Sequence, residues 1–257
     1  MQKSPSIFNR FWASFIFFTR LPFWRIHQPP KEAYAAVVEH WPLTGWLTGG
    51  VMAGTLFLGC HMLPFPIAVL VAVLVRLFLT GALHEDGLAD FFDGFGGGTD
   101  RDRTLAIMKD SHIGTYGVIA LIFYFLLLVG TLISLPPMTA VLAVLAADPL
   151  AKMFSAQIVN FMPYARREEE AKNKTVYRPI SMWRTISLAV QGLLPSLPLL
   201  LLTDVQWWLF VLVPVVCVSV LFLIIWQRLR GYTGDCCGAV CLLSELSCYL
   251  TLAWQVV

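Results

Sequence analysis

Charge is scarce in this chain. Only 13% of its 257 residues are Asp, Glu, Lys or Arg, about half the share usual in soluble domains. With 58% hydrophobic residues and a mean hydropathy of +0.71, that scarcity argues against a soluble protein. The net charge of +2 supplies no basic field for nucleic acid. Cys60, Cys217, Cys236, Cys237, Cys241 and Cys248 form no paired C-x-x-C motifs. A zinc site is therefore not expected, and these thiols are expected to pack as small apolar groups. The chain lacks the internal repeat that marks many transporters. It also lacks a plain signal peptide: Arg10 and Arg20 interrupt MQKSPSIFNRFWASFIFFTRLPFW, and no small-residue cleavage site follows. An amphipathic helix along the cytoplasmic membrane face is expected there instead.

What the chain does have is apolar runs near the 20 residues that a membrane span needs. They cover residues 41–62, 64–84, 115–134, 138–162, 183–203, 205–227 and 236–257. The expected fold is an all-α, polytopic membrane bundle. It has about seven transmembrane helices plus the N-terminal amphipathic helix, in one domain over 1–257. Of the 18 Lys and Arg, all but Arg76 and Lys152 fall before the first span or in alternate connections. The positive-inside rule makes that side cytoplasmic, with the N-terminus in and the C-terminus out. The outer connections are short (LPFP at 63–66, LPP at 135–137, TDV at 203–205), whereas two cytoplasmic ones are long. Long loops in compact domains usually carry function, so chemistry is expected on the cytoplasmic side. Arg76 and Lys152 lie inside spans, where a charge must face a partner or water. Asp148 stands one turn before Lys152. A structural i,i+4 pair and a Lys152 facing a buried anionic substrate both remain open.

The acids are gathered rather than scattered. Glu85, Asp86, Asp90, Asp93, Asp100, Asp102 and Asp110 crowd one connection of a chain with 16 acids. On a helix, Asp86, Asp90 and Asp93 share one face at i, i+4, i+7. Like charges so placed are tolerated around a cation, and oxygen ligands beside a phosphate suit Mg²⁺. Glu85 is a helper in that set, and Gly87 and Gly94 leave room for close approach. A solvated helix end and a cation pathway are the competing readings. FGGG at 95–98 reads as a flexible loop able to approach a phosphate, or as a linker. Beyond it, Lys109 is a candidate phosphate partner, Asp110 a fourth metal ligand, and His112 a hydrogen-bond donor or a structural contact. Further on, Asp235 opens the last span and Glu245 lies about 15 Å deeper, a functional candidate by its depth. In MPYARREEEAKNKTVYRPI (162–180), Arg166, Arg167 and Lys174 are candidate phosphate clamps in what is otherwise an ordinary solvated loop.

Taken in order, HEDGLADFFDGF, RDRTLAIMKDSHIGTYG and GYTGDCCGA closely resemble the cobalamin-5′-phosphate synthase family, also called adenosylcobinamide-GDP ribazoletransferases. FFTRLPFW (17–24) and WPLTGWLTGG (41–50) are similar to its N-terminal pattern, so the resemblance runs from about residue 11 to 250. Two positions depart from that pattern: Leu242 stands where members often carry an acid, and Lys152 where they often carry Arg. The resemblance implies a multi-pass enzyme of the bacterial inner membrane with its site facing the cytoplasm. Its members join adenosylcobinamide-GDP to α-ribazole 5′-phosphate or α-ribazole, release GMP and use Mg²⁺. On this reading Glu85, Asp86, Asp90 and Asp93 hold the metal, and Asp86, Asp90, Asp110 and Asp235 are catalytic. Lys109, His112, Lys152 and Arg166 bind substrate. A homo-oligomer, or a complex with other cobalamin-assembly enzymes, is compatible with it. Two other classes stay open. CDP-alcohol phosphotransferases also carry clustered aspartates, but the run Asp86-Gly87-Leu88-Ala89-Asp90 departs from their D-G-x-x-A-R pattern. A transporter or cation channel would place its acids along a path rather than at one face.

Overall fold

A computed structural model describes residues 5–166 and 176–256. Helix α1 (Ile7–Phe18) begins at Ser6, whose hydroxyl accepts the Asn9 N–H at 3.2 Å. After two 3-10 segments, Phe23–Arg25 and Lys31–His40, come α2 (Trp41–Cys60), α3 (Phe65–Thr80), α4 (Leu83–Gly97) and α5 (Arg101–Lys109). Then follow α6 (Thr115–Ser134), α7 (Pro137–Ala156), the single turn α8 (Ile158–Phe161), α9 (Met182–Leu193), α10 (Leu197–Leu202), α11 (Trp207–Leu229) and α12 (Gly234–Val256). Among the described residues there is no strand, only one bridge between Tyr164 and Tyr232. Six helical stretches are long and apolar enough to cross a membrane, and a seventh if the bent pair α3–α4 counts as one span. The polytopic helical bundle expected from the sequence is the fold observed.

Helices α7 and α12 form the centre and are buried over most of their length. Helix α2 lies close on α7 because its inner face carries glycine: a Cβ on Gly45 would meet the Pro149 backbone at 2.8 Å. Small residues at such contacts let helix backbones approach where lipid supplies no hydrophobic drive. The outer face is apolar, with Leu74 and Phe78 on α3, Phe123 and Leu126 on α6, and Val216 and Leu223 on α11 all exposed. Exposed tryptophans mark both ends of the bundle. Trp207, Trp208 and Trp254 lie at one end, and Trp24, Trp183 and Trp226 at the other. From Trp208 to Trp226 along α11 is about 27 Å, close to a hydrocarbon core flanked by aromatic belts.

Two expectations are corrected. The run 64–84 is not one straight span: α3 stops at Thr80 and α4 leaves it at 88°. Gly81 (φ 65°) and Ala82 (φ 55°) are both left-handed, a conformation glycine adopts freely and alanine at a cost of about 1–2 kcal/mol. The backbone N–H of Arg20 donates to the Leu79 carbonyl at 2.8 Å, occupying an end of α3 that the bend leaves open. Second, residues 95–97 are not a flexible loop: they complete the last turn of α4, and Gly98 caps it. The span expected over 183–203 is observed as one helical stretch, Met182–Leu202, with a 3-10 turn at Leu194–Ser196 joining α9 to α10 where Pro195 and Pro198 remove backbone donors.

Candidate active site

The acid-bearing helix α4 meets the first turn of α12 through two glycines. A Cβ on Gly87 would stand 3.2 Å from the Asp235 backbone, and one on Gly238 would stand 3.1 Å from the His84 carbonyl oxygen. This contact brings Asp86 and Asp235, far apart in sequence, to one cavity of about 150 Å³. The cavity lies at the end of the bundle where the basic connections gather. Its wall also includes Phe17, Phe18, Trp41, His84, Tyr164, Arg166, Tyr177, Thr233 and Gly234.

Each wall element has a local reason for its place. Thr233 caps α12, its hydroxyl oxygen accepting the Cys236 N–H at 3.3 Å, so the N-terminus of a 23-residue helix opens at Gly234 and Asp235. That end carries the positive pole of the helix dipole and favours anions. The loop bearing Tyr164 and Arg166 is tied to the turn before α12: Ala165 N–H donates to Tyr232 O at 2.8 Å, and Tyr232 N–H to Pro163 O at 2.9 Å. Arg101 fastens the same loop from α5, donating to the carbonyls of Leu229 (2.9 Å) and Ala165 (2.5 Å). Arg166 donates one Nη to the Leu105 carbonyl at 2.9 Å, while its buried Nε has no partner among the described residues. A guanidinium donor held without an acceptor beside a cavity suits a phosphate oxygen. Burial pushes the hydroxyls of Tyr164, Tyr177 and Tyr232 above the usual tyrosine range. They therefore stay protonated at neutral pH.

The candidate residues divide into three groups. Asp86, Asp235 and Arg166 line the cavity. Asp90 follows Asp86 by one turn of α4 and is half-buried. Glu85 and Lys152 lie behind the wall, around a small buried void that they share with Arg76, His84 and Glu245. There Lys152 pairs with Asp148 and reaches Thr48 at 3.2 Å, the structural i,i+4 arrangement. Glu245 pairs with Arg76 and accepts from the Tyr249 hydroxyl at 2.6 Å. Asp93 lies apart from both, its carboxylate accepting the backbone N–H groups of Gly114 (2.7 Å) and Gly117 (2.8 Å) at the start of α6. Lys109, Asp110 and His112 form an exposed turn outside the cavity. The His112 backbone N–H and ring hold Asp110 below the usual carboxylate range. Arg167 and Lys174 fall outside the described residues. Gly87 and Gly94 accommodate helix packing, Gly94 lying against Met108 and the Thr104 carbonyl.

The sequence reading missed the aromatic wall. Phe18 and Trp41 stack at 4.7 Å, and His84 lies nearly parallel to Trp41 at 5.7 Å. Phe17, from α1, meets Tyr177 edge-on at 6.1 Å. The only signal was the aromatic density of FFTRLPFW, which the sequence offered as part of an amphipathic helix along the membrane face and as a family-like pattern.

Among the described residues no three His, Cys, Asp or Glu side chains come together as a metal cage. Mg²⁺ does not need one: it commonly takes one or two carboxylates, substrate phosphates and water. Asp86 offers that kind of hard oxygen donor on the cavity wall, with the half-buried Asp90 one turn further along α4, so the residues present fit the ion.

Comparison with known proteins points to one family. The family model for cobalamin-5-phosphate synthase matches residues 10–253. An adenosylcobinamide-GDP ribazoletransferase of Shewanella baltica is 34% identical over 239 residues, covering 92% of this chain and 90% of its own. One from Leptospira interrogans is 31% identical over 271 residues, covering 99% of both. No solved structure matches. The chain belongs to the cobalamin-5-phosphate synthase family.

Proposed function

We propose that this chain is a Mg²⁺-dependent adenosylcobinamide-GDP ribazoletransferase. It joins adenosylcobinamide-GDP to α-ribazole 5′-phosphate, or to α-ribazole, and releases GMP. The observation that carries this reading is the meeting of Asp86, Asp235, Arg166 and the N-terminus of α12 at one cavity. The family supplies the substrates, and the cavity has the groups the chemistry requires. A ribose hydroxyl oxygen of the ribazole forms a bond to the corrinoid-side phosphorus. The bond from that same phosphorus to the bridging anhydride oxygen breaks, and GMP leaves carrying that oxygen and the bond's electrons. Arg166 and the α12 amides meet the negative charge that grows on the leaving phosphate. Asp235 takes the hydroxyl proton, being a carboxylate on the cavity wall where Asp110 is not. Asp86, with Asp90 one turn on, is the metal-holding side of the site. When bound there, Mg²⁺ neutralises phosphate charge and orients the oxygens.

The basic connections at this end favour a cytoplasmic site in a bacterial inner membrane. The test is direct. Purified protein in detergent receives both substrates and Mg²⁺, and products are read by mass spectrometry. GMP and adenosylcobalamin 5′-phosphate are expected, and both disappear with EDTA. Well-folded protein that yields neither contradicts the assignment, and turnover that persists in EDTA contradicts the metal.

A further inference from the structure

The polar groups of the cavity suit phosphates, but most of its wall is carbon. Phe17, Phe18 and Trp41 come from α1 and the start of α2, and neither segment contributes a charged side chain to the lining. Tyr164 and Tyr177 add two more rings. Two ring nitrogens on this wall, Trp41 Nε1 and His84 Nε2, are buried without a hydrogen-bond partner among the described residues. Flat rings bind flat bases by stacking, and the polar edge of a base then needs matched partners.

We propose that the aromatic part of the cavity is the subsite for the base of the acceptor nucleotide. This rests on the transferase reading above. The base of α-ribazole is a dimethylated benzimidazole: two fused rings, one acceptor nitrogen and no N–H donor. An apolar wall with an unpaired indole N–H matches that inventory. Guanine, the base of the donor, presents an amino donor on its edge, and the side chains of α1 and α2 on this wall offer it no carboxylate or carbonyl acceptor. Stacking the acceptor base here leaves the attached ribose near the Asp86 and Asp235 side of the same cavity, where its hydroxyl must react. Phe17 and Tyr177 are half-buried rings of the wall, as Tyr164 is, and come from distant parts of the chain. Neither is a core residue, so both can be changed.

The experiment measures KM for donor and acceptor separately on the full chain in detergent, with Phe17→Leu, Tyr177→Leu and Tyr177→Phe. Binding of α-ribazole 5′-phosphate alone is followed by calorimetry. The two Leu variants are expected to raise the acceptor KM and weaken its binding by about tenfold, leaving the donor KM within about twofold. Tyr177→Phe keeps the ring and is expected to restore most of the acceptor binding that Tyr177→Leu loses. Wild type is expected to prefer the benzimidazole acceptor over one carrying adenine, and the Leu variants to lose that preference. A raised donor KM with an unchanged acceptor KM would place guanine here and overturn the proposal. Unchanged KM values in folded Phe17→Leu would show that the rings only pack, which also overturns it. A wild type that neither turns over nor binds α-ribazole 5′-phosphate defeats the transferase reading itself. An active wild type with unaltered variants defeats only this subsite.

Discussion

Asp93 shows how far a residue's type and spacing carry. Its i, i+4, i+7 relation to Asp86 and Asp90 was legible, because α4 is a helix and the three share a face. Its partners were not: the amides it accepts are 21 and 24 residues further on, at the start of the expected span 115–134. A carboxylate holding two amides of a neighbouring helix is a cap supplied in trans. Asp93→Ala is expected to destabilise the protein by about 2–3 kcal/mol, read as a lower Tm, and Asp93→Asn by less because one acceptor remains. An unchanged Tm in Asp93→Ala would count against the cap. Asp110 gives a pH prediction. Its folded pKa is depressed by the His112 backbone N–H and ring. The order this gives the turn is therefore present above the usual carboxylate pKa of about 3.9 and lost as pH falls through the lower folded value. Amide exchange at Ser111 and His112 should rise in that acid window and should already be raised at neutral pH in Asp110→Asn.

Between elements, the decisive contacts join α4 to α12 and α3 to α12. Position inside apolar runs flagged Arg76 as a charge needing a partner and Glu245 as a functional candidate, but a pair 169 residues apart leaves no local pattern. Both are buried, and Arg76 also reaches the Tyr124 hydroxyl on α6 at 3.1 Å. Breaking such a pair strands a charge and costs about 3–5 kcal/mol, while replacing both partners by apolar groups is far milder. Glu245→Leu alone should therefore destabilise strongly, and the double variant Arg76→Met, Glu245→Leu should recover most of the loss. If the double variant is as unstable as the single one, the pair is not the reason for the burial. The Gly87–Gly238 contact predicts a different failure. Gly87→Ala puts a methyl against the Asp235 backbone and should cost about 1–3 kcal/mol. Because it spreads Asp86 from Asp235, kcat should fall more than KM rises. The bend between α3 and α4 was half legible: Gly81 is a natural helix terminator, but nothing local forces Ala82 into the left-handed region.

For the whole molecule, apolar runs and basic connections carried the reading well. Periodicity and charge are local signals, and the bundle follows them. What they could not supply was the convergence of segments near residues 17, 41, 86, 164, 177 and 235 at one cavity, which depends on packing. The topology they imply is open to test in whole cells. A membrane-impermeant thiol reagent should label Asp204→Cys from outside and should reach Asp102→Cys only after permeabilisation. The reverse pattern would turn the protein over. The account as a whole rests on Asp86 and Asp235 serving one reaction. The most direct measurement is GMP release from adenosylcobinamide-GDP and α-ribazole 5′-phosphate by the purified wild type, Asp86→Asn and Asp235→Asn, each confirmed as folded by its Tm. The account predicts steady release by the wild type and a loss of at least about a hundredfold in kcat for each variant. Either variant turning over near the wild-type rate would contradict it.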